Sequence, residues 1–202
     1  MAEKPILFNE EMYKAIIEGR KTQTRRVVKR NLWPFLKESE IVNGKVCLEM
    51  MDCDIIHLYQ VGDHLWCKEP FRIMTFRKFC GNRVHGIYTR DDEMFMLDLT
   101  DKEIEKLRKW KEPYKGKSSL FMFKSLVRLW IEITAVRVER LQDITHSDIY
   151  HEGVILDENR DGEYTDILKQ KWIELWDSVS KKERKWDQNP WVWVYEFKRI
   201  EK

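Results

Sequence analysis

Gly19-Arg20-Lys21-Thr22-Gln23-Thr24-Arg25-Arg26 is the stretch on which the reading of this chain turns. Together with Val27-Val28-Lys29-Arg30 it holds six basic residues between Arg20 and Arg30 and no acidic one, in a 202-residue chain of net charge +2. Its flanks set its local structure. Upstream, Pro5 to Phe8 predicts a short strand. Asn9 then suits a helix N-cap, with Glu10 and Glu11 in the first turn, where the helix dipole favours anions. Met12, Tyr13, Ala15, Ile16 and Ile17 give that helix an apolar face. Gly19 is its natural stop. Downstream, Thr22 to Val28 is extended by its threonine and valine content. The basic run therefore sits at a helix-to-strand junction, where side chains from a loop converge.

Two readings of the run stand side by side. It is either a face that pairs with some of the 35 acidic residues elsewhere, or a clamp for a polyanion. In the second case Arg20, Arg25 and Arg26 hold phosphates, Thr22 lies beside them, and binding weakens steeply with salt. The threonines add chemistry. A threonine hydroxyl is a nucleophile only when a base takes its proton. Lys21 is three residues from Thr24, and the like charges of Arg20, Arg25 and Arg26 push a lysine pKa down. A regular strand would put Lys21 and Thr24 on opposite faces.

Two carboxylates complete the candidate set. Glu152 precedes Gly153 at the expected C-terminal end of a short helix, where the dipole disfavours a carboxylate and raises its pKa. A carboxyl kept protonated is a usable general acid. Glu69 follows a Gly-Asp turn and is either a cleft residue or a salt-bridge partner at a sheet rim.

The remaining chain bounds the answer. A hydrophobic fraction of 43% with 12% aromatic residues predicts a packed globule. Trp172, Trp176, Trp186, Trp191 and Trp193 cluster late and are read as packing residues. No apolar run is long enough to span a bilayer, and the N-terminus lacks a signal-peptide core, so a cytoplasmic location is expected. Cys47, Cys53, Cys67 and Cys80 are then free thiols. They form no Cys-x-x-Cys pair, and His57 and His64 fall at no ligand offset, so no metal is expected. There is no glycine-rich phosphate loop, and no cofactor is expected.

Residues 31–60 give no clear signal. Val61 to Phe71 predicts a turn leading into a strand. Thr100-Asp101-Lys102-Glu103 is a capping box that opens a charged helix reaching about Trp110. Leu126 to Leu141 predicts a long strand whose inward positions change parity near Ala135-Val136, the mark of a bulge. Thr145 caps a short helix that Gly153 ends. Residues 164–179 form an amphipathic helix with Leu168, Trp172, Leu175, Trp176 and Val179 on one side. A final strand follows Pro190, with Trp191, Trp193, Tyr195 and Phe197 on one face. These elements predict an α+β fold, a small mixed β-barrel with flanking helices. They make a single domain over residues 1–202 with an insertion at about 72–118.

"ILFNEEMYKAIIEGRKTQTRRV", "VGDHLWCKEPF", "VRVERLQDITHSDIYHEGV" and "NPWVWVYEFKRI" resemble the ASCH domain, a family in the PUA-like superfamily of RNA-linked barrels. The likeness spans nearly the whole chain, is weakest at residues 31–60 and 72–118, and is strongest to the longer phage and prophage form. It implies a cleft that takes RNA or a modified nucleoside. One bacterial branch hydrolyses N4-acetylcytidine. The lysine base and threonine nucleophile of that branch fall here on Lys21 and Thr24, and its glutamate proton donor on Glu152. That branch is about half as long, so residues 72–118 have no counterpart in it. They are expected to cover the cleft or to recruit a host protein. Where the phage-type members have Ser-Ile-His-Met-Pro, this chain has Ser119-Leu120-Phe121-Met122-Phe123.

Overall fold

A computed structural model describes residues 2–29, 31–32, 36, 39–42, 45–48, 58–76, 83–110, 115–155 and 164–202. Of the residues named above, Arg30, Cys53, His57 and Cys80 lie outside this set, and so does the side chain of Cys47. Cys67 is a buried free thiol. The chain divides into two compact units. Unit 1 holds Met1–Ala2, Lys14–His64 and Glu132–Arg199; unit 2 holds Glu3–Tyr13, Leu65–Ile131 and Ile200–Lys202.

Unit 1 carries the basic run. Helix α1 spans Glu10–Ile17 and enters this unit at Lys14. Gly19, at φ +76°, takes the left-handed turn that ends it. The chain then extends into β2, Gln23–Val27. Strand β2 runs antiparallel to β10, Trp191–Ile200, with Tyr195 opposite Thr24 and Val194 opposite Arg25. On the other side of β10 lies β9, Trp130–Arg140. Buried positions of β9 move from Ile131 and Ile133 to Val136, the expected change of parity. The strand starts at Trp130 rather than Leu126, because Lys124–Leu126 turns as a 3-10 helix. Residues Ser39–Val42 (β3) and Lys45–Leu48 (β4) form an antiparallel hairpin of their own.

Helix α3, His146–His151, opens on a complete capping box. The Thr145 side chain accepts from the Asp148 amide, and the Asp148 carboxylate accepts from Thr145. Helix α4, Tyr164–Val179, lays Leu168, Trp172 and Trp176 against Leu141, Ile144, Ile149, Val192 and Val194. Burying each aliphatic side chain of that size contributes about 1.5–3 kcal/mol. Val179 is exposed and only ends the stripe. Strand β10 departs from the expected one-sided pattern. Val192 and Val194 are as buried as Trp193, Tyr195 and Phe197, so both faces of the strand are covered.

Unit 2 contains β1 (Glu3–Leu7), β5 (His64–Lys68, from Leu65) and the first residues of β9, neighbours in that order. Strands β6 (Phe71–Phe76), β7 (Arg83–Tyr88) and β8 (Met94–Asp98) form a separate antiparallel meander with an irregularity between Ile73 and Thr75. Helix α2, Asp101–Arg108, has the expected capping box between Thr100 and Glu103. The expected insertion, about 72–118, falls within this unit. It supplies Ile73, Val84, Tyr88, Phe95, Leu99, Ile104 and Leu107 to a core completed by Phe71, Met122, Phe123 and Leu126.

The α+β class holds. Barrel closure does not: among the described residues the strands form open sheets, because β3–β4 and β6–β8 pair within themselves instead of extending a ring. No helix among the described residues is long and apolar enough to cross a membrane.

Candidate functional site

The basic run packs against the C-terminal end of α3. Three successive carbonyls there accept from three successive residues in reverse order. His151 O accepts the Thr22 amide at 2.8 Å. Glu152 O accepts Lys21 Nζ at 2.9 Å, and Gly153 O accepts Arg20 Nη1 at 2.7 Å. A helix leaves its last carbonyls unpaired and carries partial negative charge there, so cations are the right complement. Gly153 makes the approach possible. It sits at φ +87°, and a Cβ on it would lie 2.9 Å from Ala15 Cβ and 3.0 Å from Lys21 Cβ. The Lys21 amide is tied in turn to Ala15 O at the end of α1, at 3.0 Å.

Side chains then close a buried ionic cluster. Lys21 Nζ lies 2.5 Å from Glu152 Oε2, with neither side chain more than 2% exposed. Arg25 Nη1 donates to Glu152 Oε1 at 3.0 Å and to Gln23 Oε1 at 2.6 Å. Its Nε and Nη2 reach Glu139 Oε1 at 3.0 and 2.6 Å, and Nη2 lies 3.5 Å from Asp148 Oδ2. Arg137 extends the network to Glu139, Asp148 and Glu196. The 2.5 Å ionic contact between Arg20 and Glu18 lies at the surface.

Burial is the largest influence on Lys21 and pushes its pKa down. Glu152 opposes this, and Arg26 and Arg25 add to the lowering, so the net shift is downward. The sequence places the cause in the neighbouring arginines; desolvation outweighs them. Burial pushes the Asp148 carboxyl up. The Thr145 hydroxyl and amide, Arg25 and Gln23 outweigh it and hold Asp148 well below the usual carboxylate range.

The structure thus brings Lys21, Arg25 and Glu152 together. Thr24 is buried on β2, facing Tyr195 in register, and Lys21 precedes the strand. Thr22 is exposed, while Arg20 and Arg26 are half-buried. Of the two readings of the charge, pairing with distant acids describes Lys21 and Arg25 as folded, whereas Arg20 pairs with Glu18 two residues away and reaches the Gly153 carbonyl. Gln23, Glu139, Asp148 and Arg137 were not foreseen. The signal for an acid was available: an arginine at an inward position of a strand requires a buried carboxylate.

Glu69 belongs to unit 2 and has a network of its own. It is 1% exposed and accepts Tyr13 Oη at 2.7 Å. Arg128 donates to both its oxygens, from Nε at 2.8 Å and Nη2 at 2.7 Å. Arg90 Nε lies 3.6 Å away, and its guanidinium sits 4.9 Å from the Tyr13 ring centre. Glu69 therefore forms a buried salt bridge at the wall of a cavity of about 280 Å³, which Asn9, Lys68, Thr89 and Ser119 also line. Among the described residues no group of His, Cys, Asp and Glu is placed to hold a metal ion.

The sequence matches no protein-family model and no curated protein. Two solved structures are similar over the full chain. One is an ASCH domain from Lactobacillus crispatus JV V101, with 10% identity, TM-score 0.43 and 81% of that chain covered. The other is a protein of Enterococcus faecalis V583 from the family DUF984, with 9% identity, TM-score 0.43 and 77% of that chain covered. At these values the likeness is too slight to assign residue roles.

Proposed function

We propose that this chain binds a nucleoside or a base of RNA against the Lys21–Arg25–Glu152 cluster, the use that its sequence resemblance to ASCH domains implies. The observation that carries this reading is the desolvation of that cluster. Lys21, Arg25 and Glu152 come from two segments more than a hundred residues apart and lie at hydrogen-bond distance with almost no solvent exposure. Charged groups buried this way are a poor source of stability compared with apolar packing. A lysine whose pKa is lowered by burial, as that of Lys21 is, is typical of ligand and catalytic sites. Lys21 and Arg25 offer donors and Glu152 an acceptor, a set suited to the edge of a base. Thr22, Arg20 and Arg26 keep solvent exposure, which a phosphate contact requires.

A second reading is favoured by the lowered pKa of Lys21: hydrolysis of an N4-acylated cytidine. In it Lys21 takes the Thr24 hydroxyl proton and Thr24 Oγ1 attacks the acyl carbon. The C–N bond then breaks as Glu152 gives a proton to the leaving amine. Water finally releases the acyl group from Thr24.

One experiment tests both readings. Folded protein is titrated with cytidine and N4-acetylcytidine, and cytidine release is followed by chromatography, with Lys21→Met and Thr24→Ala alongside. Saturable binding that Lys21→Met abolishes supports the binding reading. Release that Thr24→Ala abolishes supports hydrolysis. Neither binding nor release by the folded wild type contradicts both.

A further inference from the structure

We propose that unit 2 carries a groove for single-stranded nucleic acid, built from Trp66, Trp110 and Phe121 as stacking surfaces and from Lys68, Lys106 and Lys109 as phosphate partners. The choice of polymer rests on the nucleic-acid reading above; the groove itself uses none of the residues of the Lys21 cluster. The groove encloses about 530 Å³, within the range of sites that take a nucleotide-sized ligand, about 300–1,000 Å³.

Its rings are fixed before any ligand arrives. Trp110 stacks on Phe123 with centroids 5.2 Å apart and planes inclined by 7°, and meets Phe121 edge-on at 6.1 Å. Phe123 is buried beneath, whereas Phe121 is 54% exposed and its neighbour Leu120 63% exposed. Trp66 and Trp110 are half-buried. Phe121 is the ring that stands open to a base, and a base reaches Trp66 or Trp110 by displacing the lysine that lies over each ring.

The charge is one-sided. Lys68 and Lys117 sit 5.1 and 5.0 Å over the Trp66 and Trp110 rings. Lys106, Lys109 and Lys124 complete the basic lining, with Lys109 paired to Glu105 and Lys124 to Glu3 at the surface, exposed pairs that an incoming phosphate can exchange. Glu103 is the carboxylate lining the groove, and it is engaged: it accepts from the Thr100 hydroxyl at 2.8 Å and from the Ser125 hydroxyl at 2.6 Å. Lys68 has its pKa lowered by burial and then by Lys106. Two lysines near enough to repel one another across a groove fit an anion between them. Interleaved lysines and open aromatic rings complement a chain of alternating phosphates and bases better than an acidic peptide, whose side chains offer charge without flat faces.

The test uses the full chain with fluorescein-labelled oligouridylate and oligoadenylate, measured by anisotropy at two salt concentrations. A labelled polyglutamate peptide serves as the acidic control. The wild type is expected to bind both oligonucleotides with affinity that falls as salt rises. Phe121→Ala is expected to weaken binding at least about fivefold, the loss of one stacked base. Lys106→Gln is expected to flatten the salt dependence. Polyglutamate is expected to bind more weakly and not to respond to Phe121→Ala. Because Phe121 is largely exposed, its variant keeps the fold, checked by circular dichroism. The groove is overturned if the wild type binds neither oligonucleotide or if both variants bind as the wild type does. It is equally overturned if polyglutamate binds as tightly with the same dependence on Phe121, the outcome for a protein-docking surface. Lys21→Met separates the two proposals. Loss of oligonucleotide binding in Lys21→Met alone, in protein shown to be folded by circular dichroism, overturns the groove and leaves the cluster standing. Groove-dependent binding by a protein that ignores cytidine leaves the groove standing and removes the cluster.

Discussion

Lys21 Nζ meets Glu152 twice, at 2.5 Å from its carboxylate and at 2.9 Å from its main-chain oxygen. One ammonium thus neutralises a buried acid and caps the end of α3. Truncating Glu152 leaves the Lys21 charge buried without its carboxylate, and truncating Lys21 leaves Glu152 with Arg25 as its remaining cation. Lys21→Met and Glu152→Gln are each expected to cost about 3–5 kcal/mol, and the double variant clearly less than their sum. Urea unfolding of the four proteins in the cycle measures this.

Gly153 and Gly19 provide a matched pair. Both have positive φ, but a Cβ at Gly19 meets nothing within 4 Å, while one at Gly153 meets Ala15 and Lys21. Gly19→Ala is expected to cost about 1–2 kcal/mol, the left-handed penalty alone. Gly153→Ala is expected to cost more and to weaken cytidine binding as well, because Lys21 must move. Thermal melts and nucleoside titrations of the two variants check the contrast.

Stability is expected to vary with pH in three regions. Asp148 has a lowered pKa, so the stability it contributes is complete above the usual carboxylate range and is lost as pH falls below it. Lys21 is also lowered, so the folded chain holds that proton less tightly than the unfolded chain. Its penalty is full below the folded pKa and is relieved as pH rises from there toward the ordinary lysine value. Tyr88 runs the opposite way. Burial first, and then Glu69, push its pKa from 10.0 to about 12, so its contribution is lost as pH rises through that window. Urea midpoints across pH are expected to climb out of the acid range and to fall above pH 10. Asp148→Asn is expected to flatten the acid arm.

In unit 2, Arg128 holds both carboxylate oxygens of Glu69 through Nε and Nη2 and lies 4.0 Å from the Tyr88 ring centre. Arg128→Met keeps much of the side-chain volume but leaves the buried Glu69 charge with only the more distant Arg90 as a cation, a loss of about 3 kcal/mol. Glu69→Gln in that background is expected to recover part of it. Chemical denaturation reads both.

The local chemistry of this chain was legible, and its long-range pairing was not. Asn9 caps α1 through its side chain, which accepts the Met12 amide at 2.8 Å. Thr100 and Thr145 head complete capping boxes, and the glycine stops at 19 and 153 take positive φ. Each of these is decided within about four residues. The partners of the cations are not: Arg25 finds Glu139 and Glu152 at separations of 114 and 127 residues. Only the fold selects those acids from the 35 present. Leu126 to Leu129 misled because a short apolar alternation also suits a 3-10 turn followed by a strand. The β3–β4 hairpin had a readable signal, Asn43-Gly44 between two apolar runs, that went unused. Barrel closure could not be read because strand pairing, not strand composition, decides whether a sheet closes.

The central claim is that the Lys21–Glu152 cluster meets a ligand. Its most direct test follows the side-chain signal of Lys21 by NMR in protein with labelled lysine, assigned through Lys21→Arg, during titration with cytidine and then N4-acetylcytidine. The account predicts a saturable shift of the Lys21 signal and a change in its titration with pH when ligand is bound. A Lys21 signal that ignores both nucleosides, in protein shown to be folded, would contradict the account and leave the cluster as an ionic clasp between the basic run and α3.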